Sequence, residues 1–379
     1  MIRSPTTRQL AVLAGVSRTT VSLALRNHPS IPPATRGRIQ QLAQIHGYRS
    51  DPLLATLMTR LRSTRMNRSV EKLAYLTSWN TALEWQKFSN ERNWYEGACR
   101  RASVLGYDVE HFWSREPGMK QIRLSKILFT RGIRGVIIAP LLRPRGHLSL
   151  DWQHLAVAAI SLTLYKPDVH RVSHSHHSGI IMALRSLKHR GYKRIGLANL
   201  INQDERVGHG WLAAYLLNSY YIPPRQQIPP LMVADWKIQE FKEWLEKYSP
   251  EVVISNTDEP YRLLQQLGYR VPEDIGYANL DVNENNPFSG IDQMHQEIGA
   301  GAVDLVARQL QSSDFGLPNR AQTVNIDGVW RDGATTLKFK SGAVPVPSKA
   351  SSRRVEAKSK PQAIAKTSPA KSKPKKVKS

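Results

Sequence analysis

The chain has 379 residues, 41% of them hydrophobic, nine tryptophans and a formal net charge of +24. That length and apolar content exclude a chain disordered throughout and leave room for two or three domains with real cores, while no apolar run approaches the roughly 20 residues of a membrane-spanning helix. One cysteine, Cys99, excludes an internal disulfide and any multi-Cys zinc site and fits a cytoplasmic protein, as does the opening MIRSPTTRQL, which lacks the apolar stretch of a signal peptide.

Residues 1–72 carry 12 Lys/Arg against 2 Asp/Glu. Three short helices are expected here. Thr6 or Thr7 caps the first, which carries Leu10, Ala11, Leu13 and Ala14 and stops at Gly15; Ser17 caps a second reaching about Arg26. Pro33 opens a third with Ile39, Leu42, Ala43 and Ile45 at helical spacing, ended by Gly47. After Asp51 and Pro52 comes LLATLMTRLR, a short amphipathic stretch, then the basic STRMNRS.

From residue 73 the pattern changes. LAYLTSW, GVIIAP, LAVAAISL, RIGLANL, EVVISN and IGYANLD read as buried strands, and segments such as WYEGACRRASVLG, GIIMALRSLKHRG and PYRLLQQLG between them as helices. That alternation implies parallel sheet covered by helices on both faces, and about 260 residues of it imply two similar lobes. From about Val344 the chain is rich in Lys, Ser, Pro and Ala without apolar periodicity, which predicts a disordered tail. Residues 340–379 carry 12 Lys/Arg against 1 Asp/Glu, and the middle of the chain 30 against 27. A near-neutral body between basic ends points to a polyanion, with nucleic acid the leading candidate.

Within GVSRTTVSLALRN, a helix from Ser17 turns about 100° per residue, so Val21, Ala24 and Leu25 share an inner face and Arg18, Thr19, Ser22 and Arg26 stay outward. The AGVS connection has the length expected inside a helix-turn-helix, whose second helix meets base edges with its first residues, here Arg18 and Thr19. On this stretch alone, a plain surface helix in a three-helix bundle also fits.

The longer run TRQLAVLAGVSRTTVSLALRN, then IPPATRGRIQQLAQIHGY, resembles the N-terminal domain of the lactose-repressor (LacI/GalR) family of transcriptional regulators. The matching elements are Thr7, the turn from Ala14 to Ser17, Thr20 to Ser22, Thr35 with Arg36, and Gly47 with Tyr48. The resemblance implies DNA contacts from Thr7, Ser17, Arg18, Thr19, Thr20, Ser22, Leu23, Arg26, Arg36, Tyr48 and Leu57. Leu23 stands where the family usually has Arg, so an operator of different sequence is expected; Leu23 packs on a thymine methyl or turns inward. Leu57 falls on the family's hinge leucine, which wedges into the minor groove. Leu53, Leu54, Leu57 and Leu61 also read as a dimer-packing stripe.

The body resembles the family's two-lobed, periplasmic-binding-protein-like domain, most specifically at LGYRVPEDIGYANLD. The resemblance implies a small effector between the lobes, with Asp258 of SNTD, Arg206, Ser175, Trp211 and Asp281 as its contacts. Arg206 sits one residue further than usual from the Gly210–Trp211 pair, and Ser175 replaces a usual Asp four residues before Gly179. Trp79, Trp85 and Trp94 are either core residues or stacking platforms for a sugar face.

The cluster HRVSHSHHSG offers His170, His174, His176 and His177, but without a cysteine or partner carboxylate it reads as a polar cleft loop, and no metal is expected. No nucleotide-binding loop or nucleophile elbow appears, so neither cofactor nor catalysis is expected. The tail resembles histone-like basic tails in composition; it adds sequence-independent DNA affinity or merely solubilises. The expected organisation is a helix-turn-helix domain (1–50), a hinge helix and linker (51–72), a two-lobed α/β effector-binding and dimerisation domain (73–340) and a Lys-rich tail (341–379). The expected function is a homodimeric, sequence-specific regulator, a repressor of a pseudo-palindromic operator in double-stranded DNA, controlled by a small ligand of sugar type. The rivals are a nucleoid-type protein dominated by its tail and a solute-binding module with no DNA role.

Overall fold

The computed structural model describes residues 7–25, 30–46, 70–283 and 286–338. The expected hinge helix with Leu57, the side chains of Arg26 and Tyr48, and the Lys-rich tail lie outside the described residues.

Three helices form the N-terminal domain: α1 (Thr7–Ala14), α2 (Arg18–Leu25) and α3 (Pro33–Ile45). Gly15 takes φ +63°, and the amides of Gly15 and Val16 donate back to the carbonyls of Val12 and Ala11, a Schellman closure that needs a left-handed residue. Leu10, Ala11, Ala14, Val21, Ala24, Ile31, Ile39 and Ala43 make its core. Leu13 and Ile45, expected among the apolar positions, are exposed instead.

The first part of the body runs β1 (Glu71–Thr77), α4 (Ser89–Leu105), β2 (Tyr107–Trp113), α5 (Gln121–Thr130), β3 (Gly135–Ile138), β4 (Gly146–His147), β5 (Ala156–Ile160), β6 (Leu164–Lys166) and β7 (His170–His174). The second runs α6 (His176–His189), β8 (Ile195–Leu200), α7 (Ile201–Arg206), α8 (Gly210–Tyr220), β9 (Leu231–Val233), α9 (Ile238–Tyr248), β10 (Val252–Ser255), α10 (Glu259–Gln266), β11 (Gly276–Asn279) and β12 (Ser289–Asp292). Then follow α11 (His295–Ser312), β13 (Thr323–Ile326) and β14 (Val329–Arg331).

Two six-stranded sheets result. Lobe 1 has the order β13-β7-β5-β3-β1-β2, all parallel; lobe 2 has β14-β12-β11-β10-β8-β9, parallel except for β14. The continuous apolar runs of the sequence follow from burial on both faces. Along β1, Leu73 and Tyr75 pack on one side while Ala74 and Leu76 pack on the other. The strands missed in the sequence are explained by position: β2 is an edge strand in which only Phe112 is buried. HRVSH, read as a polar loop, is instead β7, a parallel strand with His170, Val172, Ser173 and His174 buried.

The chain passes between the lobes three times, at residues 174–176, 292–295 and 326–329, so β7 leads into α6, β12 into α11 and β13 into β14. These crossings are bonded to one another: the Ser175 amide and His174 Nδ1 both reach the Ile326 carbonyl, at 2.9 and 3.1 Å, and Arg331 pairs with Asp292. In lobe 1, α11 packs against α4 so closely that a Cβ on Gly299 would lie 2.0 Å from the Trp94 carbonyl oxygen. That crossing fixes the first turns of α4 at the edge of the cleft.

Candidate functional site

Two regions carry the functional geometry. In the N-terminal domain, the Ser17 hydroxyl accepts the Thr20 amide at 3.0 Å and so caps α2, leaving the first turn preformed. Arg18 and Thr19 are exposed, Thr20 and Ser22 half-buried, and Val21 and Ala24 buried. Arg38 donates to the Ala14 carbonyl at 3.0 Å and Gln40 to the Ala24 carbonyl at 3.1 Å, so α3 ties down the ends of both other helices and fixes their angle. Leu23 is half-buried and packed against the domain core, the inward of its two expected orientations. Thr7 opens α1, and Arg36 is half-buried on α3.

In the body, a cavity of about 260 Å³ opens between the lobes. Its wall comes from the carboxyl ends of strands: Trp79 beyond β1, Leu142 beyond β3, Ser161 beyond β5, His174 on β7, Asn256 beyond β10, Asp281 beyond β11 and Gln293 beyond β12. In each lobe the strand order reverses next to the first strand, between β1 and β3 and between β8 and β10, and such switch points are where open α/β sheets hold ligands. Phe88, Glu91 and Trp94 reach the wall from α4 and its approach, Arg206 and Trp211 from α7 and α8. Trp79 stacks on Phe88 with centroids 4.6 Å apart.

Six buried polar atoms of this wall lack a hydrogen-bond partner: Trp79 Nε1, Glu91 Oε2, Trp94 Nε1, His174 Nε2, His176 Nδ1 and Asn256 Oδ1. Buried polar groups are ordinarily satisfied, so unpartnered donors and acceptors on residues that line one cavity mark a place for a polar guest. Burial pushes the Glu91 carboxyl up to about 8, against the opposing pull of the Arg206 guanidinium and the Trp79 indole. Trp79 Nε1 is near enough to act on that carboxyl without meeting hydrogen-bond geometry. Burial lowers His174 to about 4 and holds His176 well below the usual histidine range, so both rings are neutral. A neutral His174 whose Nδ1 faces a carbonyl carries its proton there, which leaves Nε2 as an acceptor. Burial also depresses His295, but the Asp281 carboxylate, 2.6 Å from its Nε2, outweighs that and raises it. Among the described residues, no group of three or more His, Cys, Asp or Glu is placed to hold a metal ion, and no helix is long and apolar enough to cross a membrane.

Residues 6–51 match the family model for bacterial regulatory proteins of the lacI family. That segment, 46 of the 379 residues, resembles the N-terminal domain of the family. The fold of the chain is that of solved lacI-type regulators. The lac repressor dimer bound to operator and the anti-inducer ONPF is 18% identical, with 89% of this chain and 100% of that chain covered and a TM-score of 0.50. The complex of the transcriptional regulator CelR with cellobiose is 18% identical, covering 87% and 99%, with a TM-score of 0.51. A LacI-family transcriptional regulator protein from Rhizobium etli is 12% identical, covering 71% and 100%, with a TM-score of 0.55. No curated protein sequence matches the chain.

Of the effector contacts expected for the regulator, the structure places Arg206, Trp211 and Asp281 in the cavity wall. Ser175 lies beside it at the N-cap position of α6, its hydroxyl donating to that of Ser178 at 2.9 Å and capping no backbone amide. Asp258 stands at the start of α10, where it accepts Asn279 Nδ2 at 3.2 Å and burial raises its carboxyl; it is outside the wall. Trp79 and Trp94 line the cavity, whereas Trp85 is packed against Tyr75 and Tyr95. The residues missed in the sequence are Glu91, Phe88, Asn256 and Gln293. The one available signal was Glu91 in the first turn of the helix that follows a switch-point strand.

Proposed function

We propose that this chain is a DNA-binding transcriptional regulator of lacI type, a cytoplasmic repressor that acts as a homodimer on a pseudo-palindromic operator and is released from it, or secured to it, by a sugar or sugar derivative held between the lobes. The observation that carries the reading is the interlobe cavity, where unpartnered buried donors and acceptors alternate with Trp79, Phe88, Trp94 and Trp211. Aromatic faces and convergent polar atoms are what a sugar ring, apolar on its faces and polar on its rim, requires. The three bonded crossings supply the coupling: a ligand that favours one lobe geometry biases the segment leading to the DNA-binding domain.

On the DNA side, Arg18, Thr19 and Ser22 read base edges, Thr7, Ser17, Thr20, Arg36 and Tyr48 hold the backbone, Leu57 enters the minor groove, and Leu23 alters the sequence preferred. Residues 1–50, 51–72 and 73–340 are assigned to reading, hinge and effector binding with dimerisation, and the basic residues 341–379 add salt-sensitive affinity. In the solved relatives, the lac repressor dimer binds operator and CelR binds cellobiose. Genome-wide capture of bound DNA tests the reading: a two-fold symmetric motif beside genes of carbohydrate use is expected, and the absence of any two-fold motif would sink the homodimer.

A further inference from the structure

The sequence pointed to Arg206 as a ligand contact, yet one of its guanidinium nitrogens, Nη1, is taken up by protein. From the end of α7 in lobe 2, Arg206 Nη1 donates to the carbonyls of Leu141 and Leu142 in lobe 1, at 2.7 and 2.8 Å. The extra residue between Arg206 and the Gly210–Trp211 pair is absorbed by a turn in which Gly208 and His209 both take left-handed backbone, φ +62° and +61°. Buried Asp204 anchors that turn, accepting from His209 Nδ1 at 3.0 Å and from the Leu212 amide at 3.1 Å. The insertion therefore holds Arg206 at the rim, spanning the cleft.

Glu91 is in the opposite situation. It is 3% exposed, lies in the cavity wall one turn before Trp94, and leaves Oε2 without a partner. It has no route of retreat, because α4 is locked against α11 at Gly97 and Gly299. We propose that Glu91 is the side chain that reads the ligand, at a neutral hydroxyl, and that Arg206 is a positioning residue that latches the lobes shut over it. The inference rests on the cavity being the effector site. A carboxyl raised to about 8 is protonated at neutral pH, so it offers one donor and one acceptor, the complement of a hydroxyl. Asn256 Oδ1 adds an acceptor, which favours a neutral, donor-rich polyol over an anion.

The full-length protein is titrated with D-glucose, D-galactose, D-ribose, D-glucosamine, D-glucuronate and cellobiose, followed by tryptophan fluorescence. For the neutral sugar that binds tightest, Glu91→Leu is expected to weaken binding at least tenfold and Glu91→Gln to restore it to within about threefold. A neutral amide keeps the donor and acceptor of the protonated carboxyl. Unchanged affinity in Glu91→Leu overturns the assignment and leaves the effector reading standing; silence of every sugar, with operator binding intact, removes the sugar reading and the assignment with it. Tightest binding of D-glucosamine or D-glucuronate also overturns it, since an ionic guest needs a charged Glu91 or none. For the latch, small-angle scattering of ligand-free Arg206→Met should show a larger radius of gyration that contracts again under saturating sugar, with Arg206→Lys intermediate. Scattering identical to the parent protein refutes the latch.

Discussion

The two lobes share a topology but finish their cleft faces differently. In lobe 2 most of the polar groups behind the cavity are bonded to one another: Asn199 Oδ1 accepts from Ser255 Oγ and the Asn256 amide, Asn279 bridges Asp258 and the Asp281 amide, and Asp281 holds His295, with Asn199 Nδ2 and Asn256 Oδ1 left over. In lobe 1, Trp79 Nε1, Glu91 Oε2 and Trp94 Nε1 sit among aromatic rings with no comparable network, Trp79 and Arg206 only approaching the Glu91 carboxyl. A connected network keeps its shape whether or not a ligand arrives, whereas isolated buried atoms are completed only by one. The difference separates a face built mostly as a bonded network from a face whose polar atoms lack one.

The largest expected effect tests the isolated side. Glu91 is raised from 4.5 to about 8 in the fold, so between those values the native chain keeps a proton that the unfolded chain has lost. Stability from this group is then full below pH 4.5 and declines as pH rises through 8, at about 1.4 kcal/mol per pH unit. Arg206 and Trp79 oppose the rise and are already contained in the value of about 8, so they set the upper end of the pH window and not its slope. Urea unfolding of the parent and Glu91→Gln at pH 5, 6, 7 and 8 should diverge steadily in favour of Gln; parallel curves would place Glu91 among satisfied groups and erase the contrast between the lobes.

Next in size is Gly299→Ala. Its Cβ would meet the Trp94 carbonyl oxygen at 2.0 Å and the Ala98 amide nitrogen at 3.0 Å, both backbone, so α4 and α11 must separate. Overpacking of this kind costs about 3 kcal/mol, read as a fall in the unfolding midpoint, and it should also weaken sugar binding because α4 carries Glu91 and Trp94. A stable variant with intact binding would show that the position of α4 does not set the lobe 1 face.

How far the sequence revealed these faces depends on range. Runs such as LAYLTSW and EVVISN were legible because both sides of each strand are buried, and Arg206, Trp211 and Asp281 were found through motifs confined to a few neighbours in the chain. Edge strand β2 and strand β7 were not legible, since polar residues occupy them for reasons set by distant partners: Gln322 donates its amide to His170, 152 residues away in sequence. Glu91 was invisible for the same cause. Nothing near SNERNW announces that its carboxyl lies buried beside an arginine from the other lobe, and the occupation of that arginine by Leu141 and Leu142 depends on how a one-residue insertion folds.

A smaller effect tests the connected side. Tyr215 is buried in lobe 2 with its hydroxyl 2.9 Å from the Ile195 carbonyl and 2.7 Å from that of Ile228, joining β8 to the segment before β9. Tyr215→Phe removes the donor and leaves two buried carbonyls underserved, a loss of about 1.5 kcal/mol. Sugar affinity should change less than twofold, because the cavity wall on this side is held by its own bonds. A tenfold loss of affinity would mean that lobe 2 transmits distortion to the cleft as readily as lobe 1.

The smallest effect lies outside both lobes and shows whether they act independently of the reading helix. Ser17→Ala removes the acceptor of the Thr20 amide at the start of α2 and is expected to cost about 1 kcal/mol. The loss falls on a domain whose core is eight small and medium side chains, so it should appear as faster amide exchange across α2 and a several-fold weaker operator complex. Ligand binding by the body involves none of these residues and should be unchanged in sugar titrations of the same variant. Weakened sugar binding in Ser17→Ala would instead show that the reading helix and the cleft are energetically linked without DNA present. In that case the isolated polar atoms of lobe 1 would be tuned by the state of the DNA-binding domain as well as by the ligand.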